Sequence, residues 1–200
     1  MDKGQHITEH LYCIGRATRE QLNGHKAVCI WFIGLSGSGK STLANHVEEA
    51  LFNMGIKTFS LDGDNIRKGL NKDLTFTAAD RDENLRRIGE VAKLLCNAGL
   101  VVIASFITPF AKERAALRTL LGDSFYEIYV DTPLEVCEKR DTKGLYKKAR
   151  KGEIKNFTGI SSPFEAPESP DIHITTSTLT IDQSVRLVMD KVLPKIKLNV

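Results

Sequence analysis

Gly34-Leu35-Ser36-Gly37-Ser38-Gly39-Lys40-Ser41-Thr42 fits G-x-x-x-x-G-K-[ST], the phosphate-cradling P-loop. Glycines allow a tight turn with no Cβ in the way. The loop N–H groups can then converge on phosphate oxygens at the positive end of the following helix. In that reading Lys40 reaches the β- and γ-phosphates and the Ser41 hydroxyl binds Mg²⁺. The flanks support it. Residues 27–33, Ala-Val-Cys-Ile-Trp-Phe-Ile, form an apolar run rich in β-formers, which predicts a parallel strand buried on both faces. Beyond the loop, Leu43, Val47, Ala50, Leu51 and Met54 recur at helical spacing, and Gly55 stops the helix. The competing reading is a glycine-rich turn with a coincidental lysine. It accounts for neither flank.

Working outward, further strands are expected at 57–61, 100–104, 125–130 and 171–175. Helices are expected from the capping box Thr77–Asp80 to Gly99, and over 112–121, 133–140 and 180–192. Strands alternating with helices predict a doubly wound α/β fold, a five-stranded parallel sheet with helices on both faces. Residues 1–26 read as an N-terminal arm, with a short helix around 17–22 packed on the body or on a second subunit. Residues 27–200 read as one domain. Ligands of such sheets bind outside the carboxyl ends of the strands. Gly34, Asp62, Ser105 and Asp131 fall at or just after those ends and should share one rim.

The chain has 200 residues, 42% of them hydrophobic, which suits one core. Its net charge of +3 is too mild to argue for nucleic acid. Cys13, Cys29, Cys96 and Cys137 are far apart and offer neither a zinc site nor a disulfide framework. No apolar run approaches the ~20 residues of a membrane helix, and the first residues lack an apolar signal core. A cytoplasmic protein without a membrane partner is expected.

Three further groups of residues concern the chemistry. Asp62-Gly63-Asp64 follows the second strand. Beside a P-loop, paired carboxylates suit Mg²⁺ and the orientation of a hydroxyl nucleophile; alone they read as an Asx turn capping a helix. Arg81 and Asn84 share a helical stripe with Leu85 and Ile88, so they should point toward the rim, where a guanidinium suits phosphate or sulfate. Arg86 and Arg87 read as a solvated face. Residues 139–155 carry eight Lys and Arg against two acids, a net +6, leaving the rest of the chain at −3. Nucleic acid, a solvated helix face, and a lid closing over polyphosphate all explain such a run. The P-loop favours the lid, over about 139–160. With no N-K-x-D motif, a kinase is favoured over a GTPase.

Nine segments then carry a resemblance. They are residues 19–26 (Arg-Glu-Gln-Leu-Asn-Gly-His-Lys), 34–42, 61–67 (Leu-Asp-Gly-Asp-Asn-Ile-Arg), 69–74, 80–93, 105–110 (Ser-Phe-Ile-Thr-Pro-Phe), 137–150, 157–160 and 164–167. Together they resemble the adenylylsulfate (APS) kinase family over about 18–170. That resemblance implies a nucleoside-kinase-like three-layer P-loop fold. It implies transfer of the γ-phosphate of ATP to the 3′-hydroxyl of adenosine 5′-phosphosulfate, with Mg²⁺ as cofactor and a homodimer plausible. The P-loop residues Gly34 to Thr42 and Arg140, near the ATP adenine, would bind ATP. Arg67, Arg81 and Asn84 would contact the phosphosulfate, Phe76 and Phe157 would sandwich the adenine, and Ile107, Thr108 and Lys143 would add substrate contacts. Asp62 and Ser41 would hold the metal. Asp62 and Asp64 both remain candidates for the base.

The chain departs from the family pattern at three positions. Thr108 stands where a serine regarded as a phospho-acceptor in some members is usual, so direct transfer is expected, with any phospho-Thr108 a side state. Thr75 replaces a usual glycine, which would strain a turn needing positive φ. Thr142 replaces a usual proline in the lid. Competing functions are a kinase for another small nucleotide or alcohol, and a non-catalytic phosphonucleotide-binding regulatory domain.

Overall fold

A computed structural model describes residue 10 and residues 12–198. Five strands form one parallel sheet: β1 (Cys29–Ile33), β2 (Thr58–Asp62), β3 (Val101–Ser105), β4 (Phe125–Asp131) and β5 (Ile172–Thr175). Their spatial order is β2-β3-β1-β4-β5, so the P-loop strand is central, as its wholly apolar composition predicts.

Among the described residues, eight α-helices surround the sheet: α1 (Arg16–Asn23), α2 (Lys40–Asn53), α3 (Gly63–Lys68), α4 (Ala78–Asn97), α5 (Ala111–Leu121), α6 (Leu134–Arg140), α7 (Leu145–Arg150) and α8 (Ile181–Ile196). Alternation along β1 divides the core. Ile30 and Phe32 meet Leu43, Val47 and Leu51 of α2 and Val188, Val192 and Ile196 of α8. Cys29, Trp31 and Ile33 meet Leu85, Ile88 and Ala92 of α4 and Leu117 and Leu121 of α5. The expected three-layer fold is observed, and among the described residues no helix is long and apolar enough to cross a membrane.

Several boundaries differ from the sequence expectation. Helix α8 runs past Val192, through Pro194, to Ile196, because Ile196 is fully buried and holds the last turn in the core. Helix α7 lies inside the basic segment that had been read only as a lid. Of the arm expected over 1–26, residues 1–9 and 11 lie outside the described residues. The rest is anchored to the body: Arg16 Nη1 donates to Ser124 Oγ at 2.7 Å, and Asn23 Nδ2 donates to Gly99 O at 2.9 Å.

Register aligns the functional rim. Asp62 pairs with Ser105, Ser105 with Phe32, Ile33 with Tyr129, and Asp131 with Thr175. All the polar strand ends therefore lie along one edge of the sheet.

Candidate active site

Backbone geometry shapes the P-loop. Gly34 has φ +144, and a Cβ there would lie 2.5 Å from Val130 O, so no other residue fits. Gly39, at φ +100, caps α2, which begins at Lys40. Four consecutive loop carbonyls accept bonds from protein donors. Leu35 O takes Lys40 Nζ at 2.6 Å, and Ser36 O takes the Tyr146 hydroxyl at 2.8 Å. Gly37 O and Ser38 O share Arg140 Nη1 at 3.2 and 3.3 Å, and Ser38 O also takes Thr132 Oγ1 at 2.9 Å. The C=O and N–H of one trans peptide point in opposite directions. Fixing these carbonyls thus turns the N–H groups of Gly37 and Gly39 toward the loop's inner side, as phosphate binding requires. Lys40 is buried, and burial, reinforced by the charge of Lys143, lowers its pKa from 10.5 to about 8.

At the neighbouring strand ends, Ser41 Oγ lies 3.1 Å from Ser105 Oγ and 3.4 Å from Asp62 Oδ2. Asp62 Oδ1 accepts the Asp64 N–H at 3.0 Å and caps α3. The two sequence readings of Asp62 are therefore compatible: one carboxylate oxygen caps the helix while the other faces the P-loop serine. Ser41 Oγ and Asp62 Oδ2 are hard oxygen donors, a set that fits Mg²⁺ completing its shell with phosphate and water. Ser105 was recognised only as a rim position. A polar residue closing an apolar strand is the signal that marks it.

The other side of the rim is built from side chains. The Arg67 guanidinium lies 4.5 Å above the Phe76 ring and donates to Thr75 O at 3.2 Å. Burial first, then the charge of Arg81, pushes its pKa down. Two guanidiniums that repel each other across a partly buried space attract a multivalent anion. Arg81 Nη2 donates to Asn156 O at 2.7 Å, tying α4 to the basic segment. Asp64 forms an ion pair with Lys143 of that segment. Asn84 is buried, and its Oδ1 accepts Asn71 Nδ2 at 3.0 Å, so its amide supports the 69–75 loop. Arg86 and Arg87 are paired rather than merely solvated. Arg87 forks onto Asp73 at 2.8 and 2.9 Å, and both arginines bind Glu83, holding that carboxylate down at about 2.

Thr75 is absent from the positive-φ residues, so the strain anticipated there does not arise. Its N–H and hydroxyl both donate to the Asp80 carboxylate, an anchor glycine could make only in part. Phe76 is exposed, whereas Phe157 is buried edge-on against Tyr146 with ring centroids 5.0 Å apart. Together with Cys137 and Ala149 those two rings give the basic segment its own small core. Ile107 O accepts Gly34 N at 3.4 Å, joining the β3–α5 loop to the P-loop. Thr108 departs from the expectation of a substrate contact. Its side chain is buried, and its hydroxyl accepts the Trp31 indole N–H at 2.9 Å. Trp31 was read from sequence as strand core and Tyr146 as lid composition only, and Thr132 was not singled out, since their partners lie far away along the chain.

A parallel sheet with a P-loop on its central strand, a carboxylate at the next strand end and an arginine reaching from a basic segment defines a P-loop kinase. A profile of the family Adenylylsulphate kinase matches residues 26–175. An adenylyl-sulfate kinase of Lactiplantibacillus plantarum is 54% identical over 191 residues, 95% of this chain and 92% of that one. The solved Mycobacterium tuberculosis APS kinase CysC, in complex with AMPPNP and APS, is 48% identical with a TM-score of 0.81, covering 84% of this chain and 98% of that one. A hexameric APS kinase from Thiobacillus denitrificans is 30% identical with a TM-score of 0.67, covering 86% of this chain and 30% of that one. This chain belongs to the adenylylsulfate kinase family and is a kinase.

Proposed function

We propose that the chain moves the γ-phosphate of ATP to the 3′-hydroxyl of adenosine 5′-phosphosulfate, giving 3′-phosphoadenosine 5′-phosphosulfate and ADP. The observation that carries the acceptor is the Arg67–Arg81 pair beside the Phe76 ring. Guanidiniums suit a phosphosulfate, and an aromatic face suits adenine. The Mycobacterium tuberculosis relative, crystallised with an ATP analogue and APS, supports two nucleotides meeting at such a rim.

The roles follow from position. The loop N–H groups and Lys40 hold the β- and γ-phosphates, with Arg140 bracing the loop from behind. Ser41 and Asp62 would hold Mg²⁺, which would supply neutralisation of the charge developing on the phosphates. Arg67 and Arg81 fix the phosphosulfate, and Phe76 stacks on the adenine, with Phe157 on its far side once the basic segment closes. Asp64, paired with Lys143, orients the attacking hydroxyl and accepts its proton; little basicity is needed, because positioning and charge stabilisation dominate phosphoryl transfer. The segment 139–160 acts as the lid. The free buried thiols Cys29, Cys96 and Cys137 support a reducing compartment, the cytoplasm. The hexameric relative supports self-association, of which a homodimer is the simplest form.

ADP release from ATP, measured with and without adenosine phosphosulfate, tests the reading. Release that depends on the phosphosulfate is expected. Turnover of another nucleotide or an alcohol instead would overturn it, and nucleotide binding without ADP release would favour a regulatory binder.

A further inference from the structure

Thr108 is a β-branched residue at φ +43, directly before Pro109. Both circumstances oppose that conformation. A left-handed backbone crowds Cβ against a carbonyl, and the residue before proline is pushed toward extended geometry. Such a residue persists where its surroundings over-determine it.

Those surroundings are specific. Trp31, the chain's single tryptophan, is fully buried on β1 and donates its indole N–H to Thr108 Oγ1 at 2.9 Å. Phe106 packs on the indole with ring centroids 5.3 Å apart. From α5, buried Arg114 donates to Thr108 O at 3.3 Å while paired with buried Glu127 at 3.4 Å. On either side, Phe106 N donates to Phe32 O at 3.1 Å and Glu165 N to Pro109 O at 2.9 Å. The loop leaving β3 is thus held in one shape beneath the rim, with Ile107 O bonded to the P-loop.

We propose that Trp31 and Thr108 form a positioning clasp. Their hydrogen bond holds the β3–α5 loop, and Ile107 with it, in the shape that receives the acceptor nucleotide. The proposal rests on the adenosine-phosphosulfate reading for its kinetic consequence, and on geometry alone for the clasp itself. Trp31 touches no substrate. The Thr108 hydroxyl serves as an internal acceptor and is 1% exposed.

A double-variant cycle tests this. Trp31→Phe and Thr108→Val each leave a buried polar partner unpaired, and the combined variant removes both. Each single variant is expected to lose roughly tenfold in kcat/KM for adenosine phosphosulfate, with KM for ATP within about twofold. The combined variant should lose no more than the worse single one, and Thr108→Ser, which keeps the acceptor, should stay close to wild type. Trp31 fluorescence gives a second readout: its emission should move to shorter wavelength in Thr108→Val and stay in place in Thr108→Ser. Losses that multiply in the combined variant, or single variants that match wild type, would overturn the clasp. So would labelled phosphate on Thr108 after incubation with γ-labelled ATP, together with an inactive Thr108→Val and an unaffected Trp31→Phe. Urea unfolding of the same proteins reads the coupling without substrate. A wild-type protein inert toward adenosine phosphosulfate would defeat the functional reading while the unfolding cycle still decided the clasp.

Discussion

The two halves of the rim are built differently. On the donor side the P-loop presents backbone: four carbonyls are pinned by Lys40, Tyr146, Arg140 and Thr132, and Gly34 sits where a Cβ would strike Val130 O. On the acceptor side, Arg67, Phe76, Arg81 and Asp64 present side chains from α3, α4 and the loop between them. Backbone recognition tolerates almost no change of sequence and so produces a rigid motif. Side-chain recognition depends on where helices place their ends, and it leaves room for substitutions such as Thr75. On the proposed reading, the donor half is preorganised for any polyphosphate and the acceptor half carries the specificity.

The sharpest break in that comparison is Lys40→Ala. A fall in kcat of at least about 10²-fold is expected with the fold intact by circular dichroism, because a preorganised charge at the transferring group is lost. A near-normal kcat would remove the donor half from the chemistry.

Arg81→Ala should act on the other half. A charge-assisted bond is worth roughly tenfold to a hundredfold, so KM for adenosine phosphosulfate should rise by about that much while KM for ATP holds. Equal effects on both nucleotides would erase the division between the halves. Phe76→Ala should cost somewhat less, roughly tenfold in kcat/KM for the phosphosulfate, through the lost stacking surface. An unchanged value would exclude Phe76 from the base contact.

The smallest effect is a proton. Burial holds Lys40 at about 8, below its ordinary 10.5. Between those values the unfolded chain keeps a proton that the folded chain has released, so this group's contribution to stability rises with pH across that window and is lost as pH falls through 8. Polyphosphate favours the charged lysine. Binding ATP at pH 8 should therefore take up about half a proton, and affinity should fall from pH 7 to pH 9. Calorimetry in buffers of different ionisation enthalpy measures that uptake. Zero uptake would mean that Lys40 is fully charged before the nucleotide arrives.

Much of this was legible beforehand. Alternation within β1, the apolar stripes of α2 and α4 and the capping box at Thr77 are local patterns, and local patterns survive in one dimension. The rim followed from strand ends alone, and so did the pairing of Asp62 with the P-loop. Thr108 and Asn84 each have a buried partner that the sequence did not reveal, for a common reason. Each is polar on an element that faces both the core and the site, and periodicity cannot say which buried partner claims a side chain. Trp31, 77 residues from Thr108, and Asn71, 13 from Asn84, claimed theirs. Arg87 looked solvated because its partner Asp73 lies on a separate loop.

The sequence by itself determined the parallel sheet, the phosphate cradle and the charge that gathers beside it, because dihedral freedom, hydrophobic period and net charge belong to residues taken singly or in short runs. Tertiary structure alone decided which hydroxyls face the rim, which arginines are free to meet an anion and which carbonyls the P-loop gives up to the protein. Those outcomes depend on distances between segments far apart in the chain, and a hydrogen bond forms or fails within a few tenths of an ångström.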